Sequence, residues 1–422
     1  MIHSVKRGPT IAGLVSLVVF IINLPLTARG ADMRSAFPGA EVVYAITLLL
    51  AAMCILPNFR VERASQFFYQ MCMGMGLFIV CMVSVIGSEF PVLALQRLFS
   101  VFFIVAVVFA LVLSDRKSDF TFYRVAAFLS SFGFVAAVYS LWLKFFGGLV
   151  YSEYGLFNSA RVFGFSFLQK IHGIEVLRFS SFFVNPNTFG LWLMLSIVNT
   201  LFLIRVSGNY RLVLILSLCV QAFSLLQSGS RAALVSTLLA LFFLWAYGVR
   251  GSGLIVSRRF LFWLSLSVLL LLFPIVISYF SSFRGGGEGL SGREVAWVVL
   301  LKSIVDRPLL GEGFGLSLEA VLAPAGLEIG AHNMYLSMAS EIGLIGFLFF
   351  LFFWFFGPVR MFFELNKLIE KDRRLMVVAA LALFIGLSVN QLFENSLMRF
   401  TFVTFVGVYY LAFLVKARAY SA

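Results

Sequence analysis

The sequence predicts an all-α fold: a polytopic integral membrane protein of about twelve transmembrane helices with two longer outer loops. Of its 422 residues, 61% are hydrophobic and only 12% are charged, about half the charged share of a soluble chain. Apolar runs close to the roughly twenty residues that cross a bilayer recur along the whole chain. The connections between them alternate in charge.

In order, the spans fall at roughly 10–28, 40–57, 67–87, 92–114, 122–146, 183–204, 211–228, 231–248, 259–280, 334–357, 375–392 and 397–416. With the N-terminus inside, the inner connections hold clusters such as Lys6-Arg7, Arg116-Lys117, Arg258-Arg259 and Arg373-Arg374. Acidic and basic residues balance outside, so the whole net charge of +13 lies on the inner face, as the positive-inside rule requires. Both termini are then cytoplasmic. The basic balance reports topology and contact with membrane lipids and points to no nucleic acid. Lys6 and Arg7 before the first span, and small residues from Ala28 to Ala31, resemble a signal peptide. The apolar stretch is long for one, and its removal would upset every later span, so an uncleaved helix is expected. Cys54, Cys72, Cys81 and Cys219 lie within spans without paired spacing and read as buried small hydrophobes.

The chain reads as one transmembrane domain over 1–422, without internal repeats or a soluble domain. Two outer loops are long. The first, 147–182, contains Tyr151, Tyr154, Arg161, Lys170, His172 and Arg178. The second, 281–333, opens on Arg284-Gly285-Gly286-Gly287-Glu288-Gly289 and continues as a short amphipathic helix from Arg293 to Asp306. Asp306-Arg307-Pro308, then Gly311, Gly313 and Gly315, break that helix. Function is expected to concentrate in these loops.

His332, one of three histidines, stands where an apolar helix meets the outer water layer. A neutral imidazole there can take a proton near pH 7; a histidine at a helix start can equally be a capping residue. Asn333, Ser337 and Glu341 follow at i+4 spacing beside Tyr335, a polar stripe descending about 12 Å. Such a stripe can glue helices together or wall a hydrated pocket. Arg231 follows Ser228-Gly229-Ser230 between two spans, Arg178 precedes Asn185-Pro186-Asn187, Arg293 and Lys302 line the second loop, and Arg399 starts the last span. Guanidinium matches phosphate oxygens in bidentate fashion. For Arg231 the alternatives are snorkelling to headgroups or pairing with an outer carboxylate such as Glu312.

One neutral histidine among several arginines suits displacement of a diphosphate by a hydroxyl. The diphosphate needs cationic stabilisation and the hydroxyl needs a base. The first outer loop, Ala31-Asp32-Met33-Arg34-Ser35, has no paired carboxylates for a divalent ion. A metal-independent, cofactor-free reaction is expected.

At these residues the sequence resembles the O-antigen ligase and polymerase superfamily, membrane glycosyltransferases of the bacterial envelope. The resemblance rests on Phe183-Val184-Asn185-Pro186-Asn187, Ser228-Gly229-Ser230-Arg231-Ala232, Gly292-Arg293 with Trp297, and Pro308 to Gly315. The ligase signature of His, Asn, nine residues, Gly, two residues and Gly is met by His332, Asn333, Gly343 and Gly346. It implies a multi-pass protein of the bacterial inner membrane with periplasmic loops and an active site on the periplasmic face. The implied partners are an undecaprenyl-diphosphate-linked glycan donor and an acceptor, lipid A-core for a ligase or a lipid-linked glycan for a polymerase. His332 then resembles the activator of the acceptor hydroxyl, and Arg231 and Arg293 resemble diphosphate ligands. Arg178, Arg161, Asn333, Tyr335, Glu341 and Lys302 are the remaining substrate-binding candidates. A lipid-linked glycan transporter predicts repeated halves, and the His332 segment has no second copy.

Overall fold

The computed structural model describes residues 68–113, 118–152, 155–162, 165–172, 177–183, 185–207, 209–248, 293–327, 330–365, 368, 370–398 and 402–419. Its helices are α1 Phe68–Ile86, α2 Pro91–Leu113, α3 Ser118–Phe146, α4 Pro186–Val206, α5 Arg211–Ser228, α6 Arg231–Gly248, α7 Arg293–Asp306, α8 Met334–Glu364, α9 Lys371–Asn390 and α10 Phe402–Ala419. Among the described residues six helices are long and apolar enough to cross a membrane: α1, α2 over Pro91–Phe109, α3 over Thr121–Phe146, α4, α5 and α8. Arg231–Tyr247 and Val403–Ala417 are shorter apolar helices, and α9 begins on the charged run Lys371-Asp372-Arg373-Arg374. The molecule is a mostly helical, polytopic membrane protein. The spans expected at 10–28, 40–57 and 259–280, the Arg284–Gly289 stretch and Arg399 lie outside the described residues. Every other expected span coincides with a helix, although α10 begins at Phe402 rather than near 397. The Gln391 carboxamide explains that delay. It accepts from the backbone N–H groups of Ser396 and Leu397 at 2.9 and 3.0 Å, winding residues 391–398 into a turn.

The all-α expectation is corrected in the first long loop. Residues 148–179 form a four-stranded antiparallel sheet in the order β1-β2-β3-β4, with β1 Gly148–Ser152, β2 Gly155–Val162, β3 Phe165–His172 and β4 Arg178–Phe179. Strand β3, Phe-Ser-Phe-Leu-Gln-Lys-Ile-His, breaks apolar–polar alternation at Phe167-Leu168 and again at Gln169-Lys170, so it lacks the sustained period of a half-buried strand. One face packs on α3: Gln169 and Asn158 are buried, the Ser140 hydroxyl donates to Gln169 at 2.6 Å, and Phe167 meets Trp142 edge-on at 5.6 Å.

Helices α4 and α9 form the centre. Phe189, Trp192 and Phe202 of α4 are fully enclosed, as is the run from Val377 to Ala380 in α9. Several polar side chains inside the bundle are paired, as an apolar surround favours. Gln221 of α5 accepts from Ser196 at 2.9 Å and donates to the Ser130 carbonyl at 3.2 Å, joining α3, α4 and α5.

Gly343 breaks α8 with φ 66° and ψ 179°, a conformation essentially reserved for glycine. The break lets Leu344 N–H donate to Pro308 O at 2.7 Å. A Cβ at Gly343 would lie 2.2 Å from Leu309 O. Gly343→Ala is therefore expected to destabilise the protein by on the order of 3 kcal/mol. Thermal unfolding in detergent checks it; an unchanged Tm would contradict the contact.

Candidate active site

The ends of six elements converge at one end of the bundle, and Glu394, in the turn after α9, joins them. Its Oε2 lies 3.4 Å from His332 Nδ1. Its Oε1 accepts from Asn187 Nδ2 at 2.7 Å and lies 3.7 Å from Arg293 Nη2. Asn187 Oδ1 in turn accepts from Arg178 Nη2 at 2.6 Å. A continuous polar chain thus runs from Arg178 through Asn187 and Glu394 to His332, with Arg293 alongside.

Local sequence explains each placement. Asn185 caps α4 by accepting from Asn187 N–H at 2.8 Å, and Pro186 occupies the first helical position, where a missing N–H costs nothing; this fixes Asn187 at the helix start. Arg178, on the last strand, reaches across the α5–α6 turn and donates from Nε to Ser228 O at 3.1 Å. Arg293 opens α7, whose Trp297 Nε1 donates to Ala331 O at 2.8 Å, docking the helix beside His332. Arg293 Nη1 also donates to Phe393 O at 2.8 Å. Asn333 caps α8 through Leu336 N–H at 3.1 Å. Met334 N–H donates to Gln391 O and Glu394 O at 3.0 and 3.2 Å. These bonds press the carboxylate turn against the histidine.

His332 has φ 48°, in the left-handed region that non-glycine residues rarely occupy and that clusters at functional sites. Its side chain is 35% exposed, more open than Arg293 at 20% and Glu394 at 15%. With Nδ1–H directed at Glu394, the Nε2 lone pair is left for an incoming proton. A contact of 3.4 Å is long, as is usual for catalytic hydrogen bonds before substrate arrives.

The remaining candidates separate. Arg231 begins α6, one residue beyond the Ser228-Gly229-Ser230 turn over which Arg178 lies. Glu312, its alternative partner, is paired with Arg307 at 2.8 Å; burial pushes the Glu312 carboxyl up and Arg307 opposes the shift. The polar stripe faces protein rather than a hydrated pocket. Ser337 and Glu341 are each 1% exposed, Ser337 accepts from Asn395, and Glu341 accepts from the N–H groups of Gly315 and Ser317 at 2.9 and 3.3 Å. Glu341 therefore clamps the glycine-rich turn to α8. Tyr335 donates to Ser388 O at 2.8 Å and stacks on Phe355, an interhelical tie. Lys302 is exposed, about 13 Å along α7 from Arg293, and Arg161 is exposed on β2. Sequence reasoning missed Glu394 and the role of Asn187; an ionisable residue at the mouth of an apolar helix was the available signal.

Residues 212–351 match the family model for O-antigen ligase. Over this stretch the chain is similar to the O-antigen ligase superfamily. No curated protein matches the chain. The matched stretch contains Arg231, Arg293 and His332, whereas Arg178, Asn187 and Glu394 lie outside it and are joined to it by the hydrogen-bonded chain. The family supports an O-antigen ligase or related polymerase activity.

The Arg178 contact is open to test. Gly229 has φ 58°, and a Cβ there would lie 3.0 Å from Arg178 Nε. Gly229→Ala is expected to displace that guanidinium and raise KM for a lipid diphosphate about tenfold, the loss of one charged hydrogen bond. An unchanged KM would detach Arg178 from donor binding.

Proposed function

We propose that the chain transfers a glycan from undecaprenyl diphosphate to a sugar hydroxyl of lipid A-core at the periplasmic face of the inner membrane. The observation that carries this reading is His332 set against the Glu394 carboxylate within a cluster of arginines. A sugar hydroxyl is a weak nucleophile, and a positioned base removes its proton as the new bond forms. His332 Nε2 takes that proton while Glu394 stabilises the imidazolium. The acceptor oxygen bonds to the anomeric carbon, whose bond to the diphosphate oxygen breaks. The leaving diphosphate carries its charge onto Arg293, Arg231 and Arg178, donors whose fork geometry suits phosphate oxygens.

Guanidinium groups fill the role that a divalent ion plays elsewhere, so transfer is proposed to be metal-independent. EDTA is expected to leave the rate unchanged, and restoration of a lost rate by added magnesium would contradict it.

The experiment is transfer by purified protein supplied with undecaprenyl-diphosphate glycan and either lipid A-core or a second lipid-linked repeat unit. Glycan on lipid A-core supports the ligase. Longer lipid-linked chains with untouched core replace it with the polymerase reading, and no transfer to either acceptor overturns both.

A further inference from the structure

Apart from Arg178, the outward face of the sheet is unused by this mechanism. Strand register divides its residues cleanly. Asn158, Gln169, Ile171 and Phe179 face α3 and are buried, so alternation puts Arg161, Lys170, His172 and Arg178 together on the opposite face. His172 pairs directly with Arg178, Lys170 pairs with Phe157, and Leu168, 49% exposed, lies beside them on β3. None of the four strands contains Asp or Glu.

The row begins at the site itself. Arg178 belongs to the chain that ends at His332, His172 stands about 5 Å across the ladder from it, and Lys170 follows about 7 Å further along β3. Cationic groups at that spacing, with Phe157 and Leu168 between them, suit a sugar bearing phosphate or carboxylate: the charges meet the anions and the apolar side chains meet the sugar's C–H surface. We propose that this face is a subsite for an anionic saccharide engaged at the transfer site. It rests on the proposed function for its neighbour, and binding alone tests it.

The test uses full-length protein in phosphatidylcholine nanodiscs, with a phosphorylated tetrasaccharide and the same tetrasaccharide after phosphatase treatment as probes. The phosphorylated probe is expected to bind about tenfold tighter, a preference equal to one charged contact. That preference should fall to near unity in Lys170→Gln with Arg161→Gln and survive in His332→Asn, which separates it from transfer chemistry. Equal binding of the two probes, or a preference that persists in the double variant, overturns it. So does a Lys170-dependent gain on adding phosphatidylglycerol without discrimination between the probes, which would assign the face to lipid headgroups. A second comparison, phosphorylated probe with donor or acceptor lipid as competitor, tells which substrate supplies the sugar; competition by neither overturns it.

Discussion

His332→Asn is expected to cut transfer by about 10²–10⁴, the usual contribution of a positioned general base, while the protein inserts and melts as before. Asparagine is the informative replacement. It tolerates the left-handed backbone that His332 occupies at φ 48°, where alanine would add about 1–2 kcal/mol of strain. It also keeps a polar group facing Glu394, but it cannot accept a proton. Fold and charge network should survive while the base is lost. The checks are the initial rate of glycan transfer and the Tm of the purified variant. A rate above about a tenth of wild type would fall outside the base range and remove His332 as the proton acceptor.

Glu394→Gln is expected to lower kcat by up to about 10⁴-fold, the scale seen when the carboxylate orienting a general-base histidine is replaced by its amide. The amide is nearly isosteric and can still accept from Asn187 Nδ2, now 2.7 Å from the carboxylate. It cannot compensate an imidazolium, and it leaves Arg293 without the charge 3.7 Å away. The loss should therefore appear in kcat more than in KM for the acceptor. Glu394→Asp keeps the charge and should recover part of the rate. A Gln variant as fast as wild type would reduce Glu394 to a packing residue, as would an Asp variant no better than Gln.

The helices were legible because span length and charge asymmetry are properties of the chain itself. Runs such as 211–228 and 231–248 coincide with α5 and α6 at both ends. The sheet was not legible: β1 and β4 have five and two residues, too few for a strand period to show. Within the site, His332, Arg231, Arg293 and Arg178 stood out as charged or titratable groups at helix mouths. Glu394 did not, because its meaning arises from residues brought together by folding. The polar stripe through Glu341 is open in the sequence between interhelical glue and a pocket wall, and the structure satisfies that carboxyl with two backbone N–H groups in the interior.

The bond between Asn187 and Glu394 spans 207 positions of the chain, and that separation has a consequence for biogenesis. Helices enter the bilayer in order of synthesis, so a growing chain holds its arginine-bearing strand and its histidine before the carboxylate that links them has emerged. On the proposed mechanism, a chain synthesised only as far as α8 holds the base without its counter-charge, and competence for transfer waits until the turn after α9 is in place.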